Sequence, residues 1–210
     1  PLDELAQHID MLPSFDTPIV AYCGSGWRAT IAMTALQGMG WTDVRALKTT
    51  FADWVAAENP VADGLPEAMV LDVVEVPESL SASVDTAVVW AKDNGWGVKT
   101  ADDLSVALID NPDLILIDVR REEELLEKGV IAVEGQELIT LPLESFIAKS
   151  SMWPADKDAE IVVYCGSGHR STMAMEILLS NGYTNVKSLK GGFGGWAEAG
   201  LPVAEFVVAE

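Results

Sequence analysis

Two cysteines share a sequence context that suits a reactive thiolate. Each follows a short apolar run and precedes a loop of small residues that ends in arginine, and the two loops read Tyr22-Cys23-Gly24-Ser25-Gly26-Trp27-Arg28 and Tyr164-Cys165-Gly166-Ser167-Gly168-His169-Arg170. Small residues let successive backbone N–H groups turn inward and form an anion-binding nest. The helix predicted after the loop directs its positive end at the same point. A sulfur held there is favoured as the thiolate, which is the nucleophilic form.

The two loops belong to a longer internal repeat. At the same spacing of 142 residues, Ala32-Met33 matches Ala174-Met175, Leu47-Lys48 matches Leu189-Lys190, and Pro60-Val61 matches Pro202-Val203. Single matches are Ile19 with Ile161, Gly40 with Gly182, Val44 with Val186, Phe51 with Phe193 and Trp54 with Trp196. About half of positions 19–61 are identical to their copies. The chain therefore holds two copies of one fold.

The copies differ in length on their N-terminal side. The second copy begins near Val98, whereas the counterpart of Asp118-Val119-Arg120 would precede Pro1. We predict the C-terminal half of a first domain over residues 1–65, a connector over 66–97 and a complete second domain over 98–210. An open half-sheet would expose apolar surface. We therefore expect the missing half to occur natively, either removed by processing or packed on residues 19–61 as a companion fragment.

The elements that position the cysteines follow from the apolar patterns. Continuous apolar runs predict buried parallel strands, and amphipathic stretches between them predict helices. The predicted strands are Leu114–Ile117, Ile161–Tyr164 and Val186–Leu189, and the predicted helices begin at Ala101 after Thr100 and span Val84–Asp93, Arg121–Lys128 and Arg170–Leu179. Alternating strands and helices give an α/β fold in which helices flank a mostly parallel central sheet.

The loop at Cys165 resembles the active-site loop of the rhodanese-type sulfurtransferases. Asp118-Val119-Arg120 followed by Glu122-Glu123-Glu124 is similar to that family's strand-to-helix signature, and Leu189-Lys190-Gly191-Gly192 with Trp196 and Gly200-Leu201-Pro202 is similar to its C-terminal signature. The tandem arrangement with a connector also resembles the family. The segment Gly129-Val130-Ile131-Ala132-Val133-Glu134-Gly135 departs from the Gly-His-Ile-Pro-Gly-Ala pattern common there.

This resemblance implies a double displacement through a cysteine persulfide. Cys165 is the expected nucleophile, and Arg170 binds the donor's anionic end or braces the loop. The amides and side chains of the loop are expected to bind the substrate: Gly166, Ser167, Gly168, His169 and Ser171. Asp118 and Arg120 are expected to form a structural ion pair.

Cys23 and Arg28 form a possible second site. Ala29 replaces Ser171 there, Trp27 replaces His169, and Thr49-Thr50 replaces Gly191-Gly192. We therefore predict that Cys165 is the more reactive thiol and is loaded first.

The donor and the activity leave alternatives open. Cys-Gly-Ser-Gly resembles the start of the loop in 3-mercaptopyruvate sulfurtransferases, whereas His169-Arg170-Ser171 resembles thiosulfate-using members, and thiosulfate is favoured here. Four residues separate Cys165 from Arg170, whereas phosphatase and arsenate reductase loops have five, which argues against both of these activities. A third hypothesis is a catalytically silent module for protein interaction or sulfur carriage.

Composition limits the partners. The chain has 13 Lys+Arg against 33 Asp+Glu and a net charge of −20, so a nucleic-acid partner is not expected. No apolar run reaches the roughly 18 residues that span a bilayer, so no membrane partner is expected. With two Cys and two His, no metal site is predicted, and no cofactor is called for. The expected partners are a small-molecule sulfur donor and a thiol or cyanide acceptor. The compartment is open, because a targeting segment would lie upstream of Pro1.

Overall fold

The computed structural model describes residues 1–64, 74–131 and 135–207. Two compact units divide the chain, Pro1–Val89 and Trp90–Glu210. Part of the predicted connector, residues 66–73, lies outside the described residues, as do residues 132–134 of the segment that departs from the family pattern.

The first unit contains a small parallel sheet covered by one long helix. Strand β1, Ile19–Ala21, pairs with β2, Val44–Ala46. Helix α1, Trp27–Met39, connects them, and the short helix α2, Phe51–Ala56, follows β2. The 3₁₀ turns Leu2–Gln7 and Ile9–Met11 precede β1. The core of this unit is formed on one side of the sheet by buried residues of α1 and the turn after it: Ile31, Ala35, Leu36, Met39 and Trp41.

Helix α3, Glu78–Asp93, starts six residues before the predicted Val84. Ser81 and Ser83, which precede the predicted start, lie inside the helix. The Ser81 hydroxyl donates to the Glu78 carbonyl at 3.0 Å, and the Ser83 hydroxyl donates to the Ser79 carbonyl at 2.8 Å. These bonds satisfy the polar side chains within the helix, so a polar cluster did not mark its boundary.

The second unit is built on a five-stranded sheet whose neighbouring strands all run parallel. Its spatial order is β3, Val98–Lys99; β7, Val186–Leu189; β6, Ile161–Tyr164; β4, Ile115–Asp118; and β5, Glu137–Thr140. The helices are α4, Ala101–Asp110; α5, Glu122–Lys128; α6, His169–Ser180; and α7, Gly192–Glu198. Gly95–Gly97, Leu143–Ser145 and Ser150–Met152 are 3₁₀ turns. The predicted α/β fold with a mostly parallel sheet is confirmed.

Local sequence explains these boundaries. The Thr100 side chain accepts a hydrogen bond from the Asp103 N–H and so caps α4, as its position predicted. Strands β4 and β6 are fully buried, which agrees with their continuous apolar sequences. The helix predicted from Arg170 starts one residue earlier, because Gly168 adopts the left-handed conformation with φ of 103° and serves as the N-cap. Among the described residues, no helix combines the length and the apolar character that crossing a bilayer requires.

Candidate active site

Cys165 lies directly after the carboxyl end of β6, a central strand of the five-stranded sheet, and its side chain is buried. The loop then turns through Gly168 into α6. The Gly168 backbone N–H donates to the Cys165 sulfur at 3.2 Å. The sulfur therefore faces an N–H group at the amino end of a helix, an environment that stabilises negative charge.

Three buried hydroxyl groups lie beneath this loop, on Ser171, Thr172 and Ser188. The Ser171 oxygen lies 3.5 Å from the Cys165 sulfur and 2.9 Å from the Gly168 carbonyl oxygen. The Ser188 hydroxyl donates to Ser171 at 2.8 Å. Ser171 is the third residue of α6, and its hydroxyl contacts a carbonyl and the sulfur.

The start of α7 supports the cysteine loop from a second side. The Phe193 N–H donates to the Cys165 carbonyl at 2.7 Å, and the Gly194 N–H donates to the Gly166 carbonyl at 3.1 Å. Gly192 has φ of 58°, and a Cβ atom added to it would overlap the Cys165 carbonyl oxygen. Only glycine allows this approach of two backbones, so the Gly-Gly signature lets the start of α7 pack directly against the cysteine loop.

Arg170 forms a two-pronged ion pair with Glu124 of α5. Its Nη1 and Nη2 atoms lie 2.6 and 2.7 Å from the two carboxylate oxygens. The Arg170 hydrogen bonds hold the pKa of Glu124 at about 2, well below its ordinary value. The same contact raises the pKa of Arg170 above its ordinary value. Of the two roles expected for Arg170, this geometry matches bracing of the loop, with the guanidinium next to Gly166.

Asp118 and Arg120 form the expected ion pair. Both are buried, and their closest atoms are 2.6 Å apart. Arg120 also donates to the Gly129 carbonyl at 2.7 Å and lies 4.1 Å from the centre of the Phe193 ring. Burial alone would lower the pKa of Arg120, but hydrogen bonds and charge attraction from Asp118 raise it. The pair thus links β4 to the helix that supports the cysteine loop.

The loop at Cys23 repeats the sulfur geometry in the first unit. The Gly26 N–H donates to the Cys23 sulfur at 3.1 Å. Partial burial would raise the pKa of the Cys23 thiol, but hydrogen bonds from the backbone of Ser25, Ala29, Gly26 and Arg28 lower it below its ordinary value. Cys23 is half-buried and Arg28 is exposed. The anion-binding nest therefore exists within the first unit itself.

The support around Cys23 differs from that around Cys165. Thr50 adopts an extended conformation and caps α2, exchanging hydrogen bonds of 3.0 and 3.1 Å with Asp53. Its counterpart Gly192 instead packs its backbone against the cysteine loop. Thr49 also donates to Asp53, at 2.7 Å. The Thr-Thr pair therefore builds a capping box in place of the glycine contact.

One face of the first unit's sheet is open. Val20, Tyr22 and Phe51 are 61%, 63% and 40% exposed, and they line a cavity of about 540 Å³ together with Leu47 and Trp54. The equivalent residues of the second unit form its core, where exposure is 6% or less: Val162, Tyr164, Leu189, Phe193 and Trp196. They pack there in one cluster with buried residues that come earlier in the same unit: Leu104, Leu108, Leu114, Leu116 and Ile131.

The second unit thus gathers several of the residues singled out in the sequence. Gly168 and Ser171 contact the Cys165 sulfur directly. Gly166 lies beside the Arg170 guanidinium, whereas Ser167 is exposed and His169 is half-buried as the first residue of α6. The possible second site, Cys23 and Arg28, lies in the first unit.

Sequence reasoning missed Glu124 as the partner of Arg170 and Ser188 as the partner of Ser171. Glu124 was one of three adjacent glutamates, and nothing in sequence selects the one that faces the loop. Ser188 could have been found by comparing the copies, because Ala46 and Ala29 replace Ser188 and Ser171 together. Within residues 1–64, 74–131 and 135–207, no three His, Cys, Asp or Glu side chains form a group that could hold a metal ion.

Comparison with known proteins places this arrangement in a family. The sequence model of the Rhodanese-like domain matches residues 1–57 and 100–199. A sulfurtransferase of Allochromatium vinosum is 36% identical over 103 residues, which are 49% of this chain and 90% of that protein. A tRNA uridine(34) hydroxylase of Photorhabdus laumondii is 34% identical over 104 residues, which cover 46% of this chain and 28% of the hydroxylase.

Among solved structures, a rhodanese-related protein of Thermoplasma volcanium has 29% sequence identity and a TM-score of 0.45, and the match covers 52% of this chain and 98% of that one. The family match spans well over half of the residues. The chain is a member of the Rhodanese-like domain family.

Proposed function

We propose that the protein is a thiosulfate sulfurtransferase that carries sulfur as a persulfide on Cys165. At the general level, membership of the family and the similarity to a sulfurtransferase support a rhodanese-type sulfurtransferase. The observation that carries the proposal is the Cys165 sulfur, which accepts the Gly168 N–H at 3.2 Å at the amino end of α6. That position stabilises the thiolate on which this chemistry depends.

The proposed reaction has two displacements at sulfur. The Cys165 thiolate attacks the outer sulfur of thiosulfate, a new S–S bond forms, and the S–S bond of thiosulfate breaks as sulfite leaves with the electron pair. Cyanide or an acceptor thiolate then attacks the outer sulfur of the persulfide, and the Cys165 thiolate leaves. Each step starts and ends with a sulfur anion, so donors fixed around the loop stabilise the charge throughout.

Different residues of the loop contribute different interactions to this reaction. Gly168 donates its N–H to the sulfur, and the Ser171 hydroxyl lies 3.5 Å from the same atom. Arg170 is braced by Glu124 beside Gly166. Because the Glu124 carboxylate balances the Arg170 charge, the pair acts on the position of the loop. The choice of thiosulfate over 3-mercaptopyruvate rests on the resemblance of His169-Arg170-Ser171 to the thiosulfate-using members of the family.

The main alternatives are 3-mercaptopyruvate as donor and a silent carrier or interaction module. The tRNA uridine(34) hydroxylase relative supports the module reading, because the matched part is about a quarter of that protein. The nest around Cys165 supports catalysis, since an interaction module requires no buried thiol with an N–H donor on its sulfur. We retain the enzyme as the proposal.

Steady-state sulfur transfer from thiosulfate to cyanide tests the proposal. Cys165→Ser should abolish transfer and leave the fold intact, as measured by circular dichroism. Cys23→Ser is the matched control, because it removes the same atom from the repeated loop, and it should retain most of the rate. Full activity in Cys165→Ser would refute the assignment. Replacing thiosulfate with 3-mercaptopyruvate in the same assay distinguishes the two donors.

We also propose that the open face of the first unit takes a segment with the pattern of residues 98–131, the N-terminal half of a rhodanese-like domain. This proposal is supported by the second unit, where Leu104, Leu116 and Ile131 of such a segment cover the equivalents of Val20 and Tyr22. Burying those side chains is favourable by about 1.5–3 kcal/mol for each large apolar residue. The partner is therefore an apolar strand with its flanking helix, not a charged ligand.

A further inference from the structure

Ser188 lies on β7, away from the cysteine loop in sequence, and its side chain is buried. We propose that Ser188 is a positioning residue that directs the Ser171 hydroxyl onto the Cys165 sulfur. Its catalytic consequence rests on the proposed function, whereas its effect on the reactivity of the thiol does not. Ser188 reaches the sulfur only through Ser171, so it is not itself a catalytic residue.

The three groups form a short relay. The Ser188 hydroxyl donates to the Ser171 oxygen at 2.8 Å, and that oxygen lies 3.5 Å from the Cys165 sulfur. All three side chains are at most 1% exposed, so the protein itself must determine where each hydroxyl proton points. Bulk water has little access to compete for these protons.

Competition at one carbonyl explains why the Ser171 proton turns to the sulfur. Ser171 has two acceptors within reach, the Cys165 sulfur and the Gly168 carbonyl at 2.9 Å. The same carbonyl already accepts the Thr172 N–H at 3.0 Å and the Thr172 hydroxyl at 2.8 Å. A carbonyl oxygen has two lone pairs, so Thr172 satisfies it.

With that carbonyl occupied, the Ser171 proton is available to the sulfur. Ser188 donates to the Ser171 oxygen and leaves the Ser171 proton directed away from Ser188. A hydroxyl that donates to a cysteine sulfur favours the thiolate form of that cysteine. Hydrogen bonds in a chain also polarise each other, so the Ser188 donation strengthens the Ser171 contact with a thiolate.

The first copy provides a natural comparison. Ala29 and Ala46 replace Ser171 and Ser188, so both hydroxyls of the relay are absent from the Cys23 loop, while Thr30 keeps its own bond to the Gly26 carbonyl at 3.0 Å. The two alanines occur as a pair in the copy that lacks the relay. Alanine is also accommodated at this strand position of the fold, which makes Ser188→Ala a mild substitution.

The experiment measures iodoacetamide alkylation of each cysteine in the full chain across a pH series, read by peptide mapping. Ser188→Ala should move the pH midpoint of Cys165 alkylation upward by about half to one unit, which slows alkylation about three- to tenfold at lower pH. The rate at high pH, where the thiolate is fully formed, should not change. Cys23 in the same sample is the internal control, and Ser188→Thr should restore the original midpoint.

A gain-of-function variant covers the case in which Ser188→Ala fails to fold. Ala29→Ser with Ala46→Ser rebuilds the relay in the first copy and should lower the pH midpoint of Cys23 alkylation, whereas Ala46→Ser alone should not. An unchanged Cys165 midpoint in folded Ser188→Ala would overturn the proposal. If Ser188→Ala does not fold, an unchanged Cys23 midpoint in the double variant overturns it.

Sulfur transfer by the unmodified protein separates the two proposals. If the alkylation shift occurs but the protein moves no sulfur from thiosulfate to cyanide, the proposed function fails and the positioning role stands. If the protein moves sulfur and the midpoint is unaffected by Ser188→Ala, the positioning role fails alone.

Discussion

Replacing Glu176 with glutamine should stabilise the second unit at neutral and alkaline pH. Glu176 lies on α6 and is 1% exposed. One carboxyl oxygen accepts the Ser180 hydroxyl at 3.4 Å, and the other has no hydrogen-bond partner among the described residues. Burial raises the pKa of Glu176 to about 8 from its ordinary value of 4.5. The folded state therefore holds the proton more tightly than the unfolded state does.

The sign and size of the effect follow from linkage. Because the folded pKa is raised, the stability is complete below pH 4.5 and is lost as the pH rises towards 8. Each pH unit in that window costs about 1.4 kcal/mol, so the free energy of unfolding at pH 7 falls by about 3 kcal/mol. Glu176→Gln removes the ionisation, and the variant should lose much less stability between pH 5 and pH 8.

Urea unfolding at pH 5 and pH 8 measures this difference. Glu127→Gln, on the exposed part of α5, is the control for an equal change in charge. Glu176→Met serves as a second variant that introduces no polar group into the buried position. If the unmodified protein, Glu176→Gln and Glu176→Met all lose the same free energy of unfolding between the two pH values, Glu176 does not titrate as argued.

Three further predictions concern the supports of the two loops. Glu124→Gln should slow sulfur transfer in the cyanide assay yet change the free energy of unfolding by less than about 1 kcal/mol, because the ion pair is about one third exposed. Since the pKa of Glu124 is held at about 2, the pair is fully formed above pH 4.5 and is lost as the pH falls through 2. An undiminished rate would remove the pair from the mechanism. Gly192→Ala should cost about 1–3 kcal/mol in urea unfolding through overlap with the cysteine loop, whereas Gly195→Ala on the same helix meets only an ordinary contact at 3.5 Å; equal costs would contradict this. The double variant Val20→Ser, Tyr22→Ser should bind less of an apolar fluorescent dye, because it removes apolar side chains from the open face of the first unit. A copy of residues 98–141 fused before the first residue should also reduce dye binding. Unchanged dye binding in the fusion would show that such a segment does not cover the open face.

Much of the architecture could be predicted from sequence because apolar patterns are local. Ile161–Tyr164 and Val186–Leu189 were predicted with their observed bounds, since continuous apolar residues flanked by turn signals define a buried strand. The start of α3 was missed, because Ser81 and Ser83 bond within the helix. Serines can mark either a loop or a satisfied helix, and sequence does not distinguish the two.

The site was predictable where a residue's role depends on its neighbours in the chain. The left-handed turn at Gly168 and the N–H donor to the sulfur follow from the order of small residues after the strand. The partners of Arg170 and Ser171 could not be predicted in this way. Glu124 and Ser188 lie 46 and 17 residues away from them, and only the packing of α5 and β7 brings these side chains together.

The ranking of the two cysteines stays a prediction. The argument for Cys165 was its complete domain and Ser171, and the structure places Ser171 within reach of its sulfur. At Cys23, the Gly26 N–H donates to the sulfur within the first unit. In both loops a backbone N–H group donates to the cysteine sulfur, so the reactivity of the two cysteines is ranked by labelling each one directly.

Mass spectrometry of the protein after incubation with thiosulfate tests the central claim most directly. Peptide mapping under non-reducing conditions locates any added sulfur atom. The account predicts one additional sulfur on the peptide that contains Cys165, lost when cyanide is added, and little or none on Cys23. Sulfur on Cys23 with Cys165 bare, or no added sulfur on either cysteine, would contradict it.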